Sequence, residues 1–329
     1  MKSLVRILHE NLAKGSRTKR SNMGKLKNDL EILLLSCPAL IWYIAFCFIP
    51  LFGIVIAFKS YQIIPGQSFM YSLFHSKWVG FENFRFMFLN PQMGKIIFNT
   101  LCYNIIFLIV DTILPIAFAI GLSKLYSERV ARFSQAASLL PHYISWVAMS
   151  YFVFSLLSAD KGMINHVLVL IGGDAVRWYQ KPEAWPIILI LTHIWKSVGY
   201  SALIYKASLA GLDQRLYESA LLDGASSWQI TRYITIPHLI PMAITLLILN
   251  LGTLFSSSFG LFYQVTRNSA SILQQTETID VYVYKALMEN ANYGYSAAAS
   301  LLQNICGCVL MLLSNAAVSK YDPERGLFR

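Results

Sequence analysis

Charge is what this 329-residue sequence has least of: Asp, Glu, Lys and Arg make up 13% of it, about half the roughly one quarter usual in soluble domains, while 56% is hydrophobic. A soluble chain of this length must still cover its outside with polar groups, and a mean hydropathy of +0.50 leaves too few. The marks of chemistry are also missing. There is no GxxxxGK[ST] loop to cradle phosphates, and no Ser/His/Asp, paired-carboxylate or metal-ligand constellation, so no catalytic residue is assigned. The five cysteines lie inside apolar runs, where thiols behave as small hydrophobes and not as a disulfide framework. Cys306 and Cys308 lack CxxC spacing and have no His or acid beside them, so no metal site is expected. The net charge of +10 does not point to nucleic acid, because no Lys/Arg-rich stripe interleaved with aromatics follows the first thirty residues.

What is present is a series of long apolar runs. About 20 apolar residues in a helix cross a bilayer core. That measure finds six candidate spans, 32–58, 96–122, 135–158, 184–204, 240–262 and 297–318. Backbone groups cannot stay unpaired in hydrocarbon, and segments this long are helices, so the fold class is all-α with about six transmembrane helices. The first run is too long for the apolar core of a cleavable signal peptide and is expected to stay as an anchor. With the N-terminus inside, the inner loops collect 17 Lys and Arg against 9 outside, which puts both termini in the cytoplasm. The expected organisation is a basic tail (1–29), a first span (30–59), an outer loop (60–95), a core of about five spans (96–319) and a short tail (320–329).

The inner loop at 209–238 is too long and too patterned to be a simple connector. Tyr217, Ala220 and Leu221 recur at helical spacing, Asp223-Gly224 makes a turn, and Ser226 is a candidate N-cap for a second short helix. Pro237 is expected to stop that helix before the membrane. Small residues Ala220, Gly224 and Ala225 let another surface approach closely, and Glu218 offers a charge to a partner's Arg. The same pattern also fits an amphipathic helix resting on lipid headgroups.

The run Glu218, Ser219, Ala220, Asp223, Gly224, Ala225, Ile234, Pro237 resembles the EAA loop (roughly EAAxxDGAxxxxxxxxIxLP) of permeases in binding-protein-dependent ABC importers of type I. It departs from that pattern at Ser219 and Ile236. The phrase Trp78-Val79-Gly80-Phe81-Glu82-Asn83-Phe84 is similar to an outer-loop signature of the sugar permeases. Ile194 to Tyr200 is similar to the branch that imports oligosaccharides such as alginate- and pectin-type fragments. The resemblance implies a carbohydrate permease subunit in a bacterial cytoplasmic membrane, working by alternating access. It implies as partners a second permease, two subunits that bind ATP and Mg, and an extracytoplasmic solute-binding protein. No cofactor is then bound by this chain. Tyr217, Glu218, Ser219, Ala220, Asp223, Gly224, Ala225 and Pro237 would form the ATPase-coupling element, where a side chain at position 224 would collide at the turn or in the ATPase cleft. Other small solutes, or ion-coupled secondary transport, are the rival readings.

Charged groups inside spans are costly and face a cavity or a partner, which singles out Asp111 and Lys196. They are read either as a mutual ion pair or with Lys196 on the substrate path, where it would attract a uronate. Asn250, Trp195 and Tyr200, then Asn104 and Ser257, are the further substrate-path candidates, since sugars are held by aromatic faces and hydrogen bonds. His193, one turn before Lys196, completes a sparse set of intramembrane ionisable groups.

Overall fold

The computed structural model describes residues 33–322 and 326–327, so the basic tail expected at 1–29 lies outside the described residues. The chain divides into two units at Val55/Ile56. The apolar run α1 (Leu33–Phe58), which crosses that boundary, is helical, with a π-turn at Ile44–Phe48 and a 3-10 stretch at Ile49–Phe58. The reason is Pro50, which lacks an N–H and whose ring crowds the carbonyl four residues back. The widened turn answers this: Ile49 N–H bonds to Ile44 O, five residues earlier.

Most of the described residues of the second unit are helical. Its elements are α2 (Phe69–His75), α3 (Glu82–Leu89), α4 (Met93–Ser123), α5 (Glu128–Tyr143), α6 (Trp146–Leu157), α7 (Met163–Leu170), α8 (Trp185–Ala210), α9 (Gln214–Leu222), α10 (Ser227–Ile230), α11 (Ile236–Gly252), α12 (Leu273–Thr276), α13 (Ile279–Met288) and α14 (Tyr293–Tyr321). Among the described residues of the whole chain, five helical runs are long and apolar enough to span a bilayer, and a bent pair makes a sixth if it is counted as one span. That pair is α5 and α6, which meet at 101°. The sequence reads 135–158 as one span, with no sign of a bend. The structure adds a bend inside it, because Pro141 in the last turn of α5 and the extended residues Ile144 and Ser145 turn the chain before Ser145 caps α6 through Ala148 N.

A second correction concerns Pro237. It does not end the second loop helix, because α10 continues into α11 as one helical run, Ser227–Gly252. A π-turn at Thr231–Thr235 precedes the proline, and Ile236 N–H bonds to Thr231 O. The same device precedes Pro50, so both prolines are absorbed into membrane helices by a turn one residue wider.

The main core joins Met149 and Val153 of α6, Trp185 and Leu189 of α8, and Leu261, Phe262 and Val265 of the π-helical segment Gly260–Val265. Leu, Ile and Phe side chains also remain exposed along α4, α6, α8 and α14, as expected of helices apolar enough to span a bilayer. Between helices the contacts use small residues. A Cβ at Gly199 would stand 2.0 Å from Ser138 O, so α5 and α8 touch backbone to backbone.

The aromatic phrase at 78–84 packs on Phe58. Trp78 stacks on the Phe58 ring at 5.9 Å between centroids, and Phe81 and Phe84 approach it at 5.5 and 5.4 Å. Asn83 Nδ2 donates to Ala57 O (2.8 Å) and Lys59 O (3.1 Å), and the two-residue strands β1 (Lys59–Ser60) and β2 (Lys77–Trp78) pair antiparallel beside it. Those residues satisfy the carbonyls left open where the helix stops.

Candidate functional site

The loop at 211–235 builds a helix–turn–helix. Asp213 caps α9 by accepting from Arg215 N (3.0 Å). α9 ends in a Schellman motif: Ala225 N–H bonds to Ala220 O (2.9 Å) and Gly224 N–H to Leu221 O (3.1 Å), with Gly224 left-handed at φ +77°. Ser226 then opens α10 with a full capping box, its Oγ accepting from Gln229 N (3.3 Å) while Gln229 Oε1 accepts from Ser226 N (2.7 Å). The requirement at position 224 is conformational. A Cβ there would meet nothing within 4 Å, so the collision expected at the turn does not occur inside this chain. Glu218, Ser219, Asp223 and Gly224 are exposed, and Tyr217, Ala220 and Ala225 are half-buried.

This loop is tied to the bundle at few points. Tyr217 Oη hydrogen-bonds Thr235 Oγ1 (3.1 Å), and Lys124 Nζ at the end of α4 donates to Ser227 O (3.2 Å) and Oγ (3.1 Å). Between them lies a groove of about 460 Å³, lined among others by Tyr217, Glu218, Leu209, Ile230 and Thr235. Glu218 has no ion-pair partner among the described residues. Pro237 lies outside the groove, in the helix behind it.

Inside the spans Asp111 and Lys196 do not form the mutual ion pair that is one of the two sequence readings. Asp111 of α4 bonds to His193 Nε2 (2.9 Å) and accepts from Ser197 Oγ (2.8 Å), both on α8. Lys196 points elsewhere: its Nζ donates to Pro141 O (3.0 Å), His142 O (3.0 Å) and Ile144 O, and lies 4.9 Å from the Trp146 ring centre. The ammonium closes the α5–α6 bend, whose carbonyls have lost their helical partners where water cannot replace them. In this structure Lys196 is therefore a buried cation held by backbone carbonyls.

The other path candidates divide in the same way. Asn250 lines a cavity of about 150 Å³ with Asn104, Phe107, Asp111, His193, Thr253 and Ser258, and the His193 ring stacks on Phe107 at 3.9 Å. Asn104 also works structurally, donating to Leu254 O (2.7 Å) and Ser256 O (3.0 Å) where the helix breaks after Gly252. Ser257 sits in that break and bonds to Asp280 Oδ2 through N (2.6 Å) and Oγ (2.9 Å). Trp195 stacks on Phe152 and Tyr200 on His142, and both are half-exposed on other faces of the chain. Asp280 and Gln303, which donates to Phe255 O (2.8 Å), had no sequence signal: one lies in a polar loop stretch and the other is a lone amide in a span.

Comparison with known proteins gives this geometry a family. Residues 111–320 match the family model of the binding-protein-dependent transport system inner membrane component. The polygalacturonan/rhamnogalacturonan transport system permease protein YteP of Bacillus subtilis (strain 168) is 31% identical over 91% of each chain. A chain in the crystal structure of a bacterial ABC transporter involved in the import of the acidic polysaccharide alginate is 28% identical. It superposes with a TM-score of 0.81 over 91% of this chain and 98% of that one. A chain of the bacterial alginate ABC transporter in complex with an alginate pentasaccharide-bound periplasmic protein superposes with a TM-score of 0.80 at 28% identity, over 90% and 96%. This chain belongs to the family of binding-protein-dependent transport system inner membrane components.

Proposed function

We propose that this membrane protein is a permease subunit of an ATP-driven importer of oligosaccharides, with a uronate-containing oligomer as its cargo. The observation that carries the reading is the exposed loop α9–α10, held in shape by its own caps and continuous with the membrane run Ser227–Gly252. A force applied to the loop is thereby delivered to a span. In this reading Glu218, Ser219, Ala220, Asp223, Gly224 and Ala225 meet an ATP-binding subunit that holds ATP and Mg, and Tyr217 and Pro237 join the loop to the bundle. The complex has two such subunits, a second permease, an extracytoplasmic solute-binding protein and surrounding lipid, with both termini of this chain cytoplasmic. The likeness to the alginate and polygalacturonan systems supports the cargo class.

The test is ATP hydrolysis by the complex purified in lipid through a tag on this chain, with and without binding protein loaded with an oligogalacturonate or oligoalginate. Co-purifying ATPase subunits whose turnover rises with loaded binding protein are expected. If gentle extraction brings down no ATPase subunit, the reading fails.

A further inference from the structure

With Lys196 bound to backbone carbonyls, the question of a cation for an acidic cargo moves to another residue. Arg267 follows the π-helical segment Gly260–Val265, in a loop that the Lys/Arg count places on the extracytoplasmic side. Arg267 and Asn268 are both left-handed, at φ 53° and 48°. Asparagine tolerates that region, but an arginine there is uncommon and costly, and such strain persists where the surroundings hold it. Here the hold is explicit: Asn268 N–H bonds to Tyr263 O (3.2 Å), Tyr179 Oη donates to Val265 O (3.2 Å), and Ser269 Oγ donates to Tyr179 O (3.1 Å).

The clamped backbone presents the Arg267 guanidinium to an aromatic wall on α6, with Cζ 4.2 Å from the Phe154 ring centre and 5.6 Å from that of Tyr151. It borders a cavity of about 250 Å³ shared with Ser150, Tyr151, Tyr263, Gln264 and Asn268. Arg267 is an exposed residue, and its guanidinium pairs with no carboxylate among the described residues. Asn268 Oδ1 is buried with no hydrogen-bond partner among them. Two aromatic faces, a hydroxyl, an amide and a planar cation without a counter-ion are the groups that a sugar ring bearing a carboxylate would engage.

We propose that this cavity is a receiving site for an acidic sugar residue at the outer mouth of the permease, with Arg267 taking the uronate carboxylate in a two-point hydrogen bond and Tyr151 and Tyr263 flanking the ring. This inference rests on the carbohydrate-import reading and makes the cargo's charge a property read by this chain as well as by the binding protein. A purely structural Arg267, clamping the loop to Phe154, would serve acidic and neutral sugars alike.

The experiment is saturation-transfer NMR on the complete complex in lipid nanodiscs, without binding protein, titrated with tetragalacturonate and with the same tetramer methyl-esterified at every carboxyl. Arg267→Gln should raise the dissociation constant of the acid by roughly 10- to 100-fold, the loss expected for a two-point charge-assisted hydrogen bond, and leave the ester unchanged. Arg267→Lys, which keeps the charge and loses the fork, should fall between. Acid binding unaltered by Arg267→Gln, acid and ester weakened equally, or a wild-type complex that binds neither would each overturn the proposal. Uptake driven by loaded binding protein tests the importer reading separately, so either result can fail without the other.

Discussion

Replacing Gly224 isolates one structural term, because a side chain there meets nothing within 4 Å of this chain and only its φ of +77° is at stake. An L-residue in the left-handed region costs roughly 1–2 kcal/mol. That is a factor of about 5 to 30 in the population of the correct turn. Asn tolerates this region, Ala does not, and β-branched Val is worse. With the Schellman turn lost, α9 no longer holds a fixed direction relative to α10, and the run Ser227–Gly252 receives less of any push. Hydrolysis stimulated by loaded binding protein should therefore rank Gly, Asn, Ala, Val, while the thermal midpoint of the purified complex moves little. The assay is stimulated ATPase of the four complexes at equal subunit composition. If Asn and Ala fall together, contact with a partner surface and not backbone conformation governs position 224, and the argument from φ is refuted.

Three further outcomes follow from the geometry. Lys196→Met should lower the thermal midpoint of the detergent-purified complex, since each carbonyl left unpaired at the α5–α6 bend costs about 1–3 kcal/mol; an unchanged midpoint would show that the bend holds without the ammonium. Asp111→Asn and His193→Ala should be non-additive in stability by about 1 kcal/mol or more, read from a double-mutant cycle, because each partner's loss already breaks the same contact. Burial pushes the Tyr179 phenol up to about 12, against the opposing pull of Arg267. Its folded value is raised, so its contribution is complete below the unfolded value of 10.0 and is lost as pH rises to about 12. The loop at 263–269 should resist proteolysis evenly up to about pH 10 and open above it; opening at pH 8 would contradict this.

The spans were legible because bilayer thickness imposes a run length that composition alone reveals, and the Ser226 cap and the Asp223-Gly224 turn were legible because caps are local chemistry. Pro237 misled for a physical reason: a proline ends a helix only if the turn before it cannot widen, and the bonding pattern that decides this lies in the backbone. The supposed Asp111–Lys196 pair failed on direction. Positions 193, 196 and 197 occupy one turn of α8, yet 193 and 197 face α4 while 196 faces the bend. A periodic pattern lists the residues of a turn without saying which neighbour each meets. Arg267 was counted only as an outer-loop charge, since nothing in its neighbours announces a left-handed backbone.

The helical run Ser227–Gly252 has a mechanical consequence. At 1.5 Å per residue its 26 residues form a lever about 39 Å long. Its near end is the loop, and its far end is pinned by Asn104 to Leu254 O and Ser256 O at 2.7 and 3.0 Å. A tilt of about 4° about the near end carries the far end nearly 3 Å, several times the slack of a hydrogen bond. Either α4 follows α11 or those bonds part, so a small rotation at the near end of the run is felt beside the Asp111 cavity.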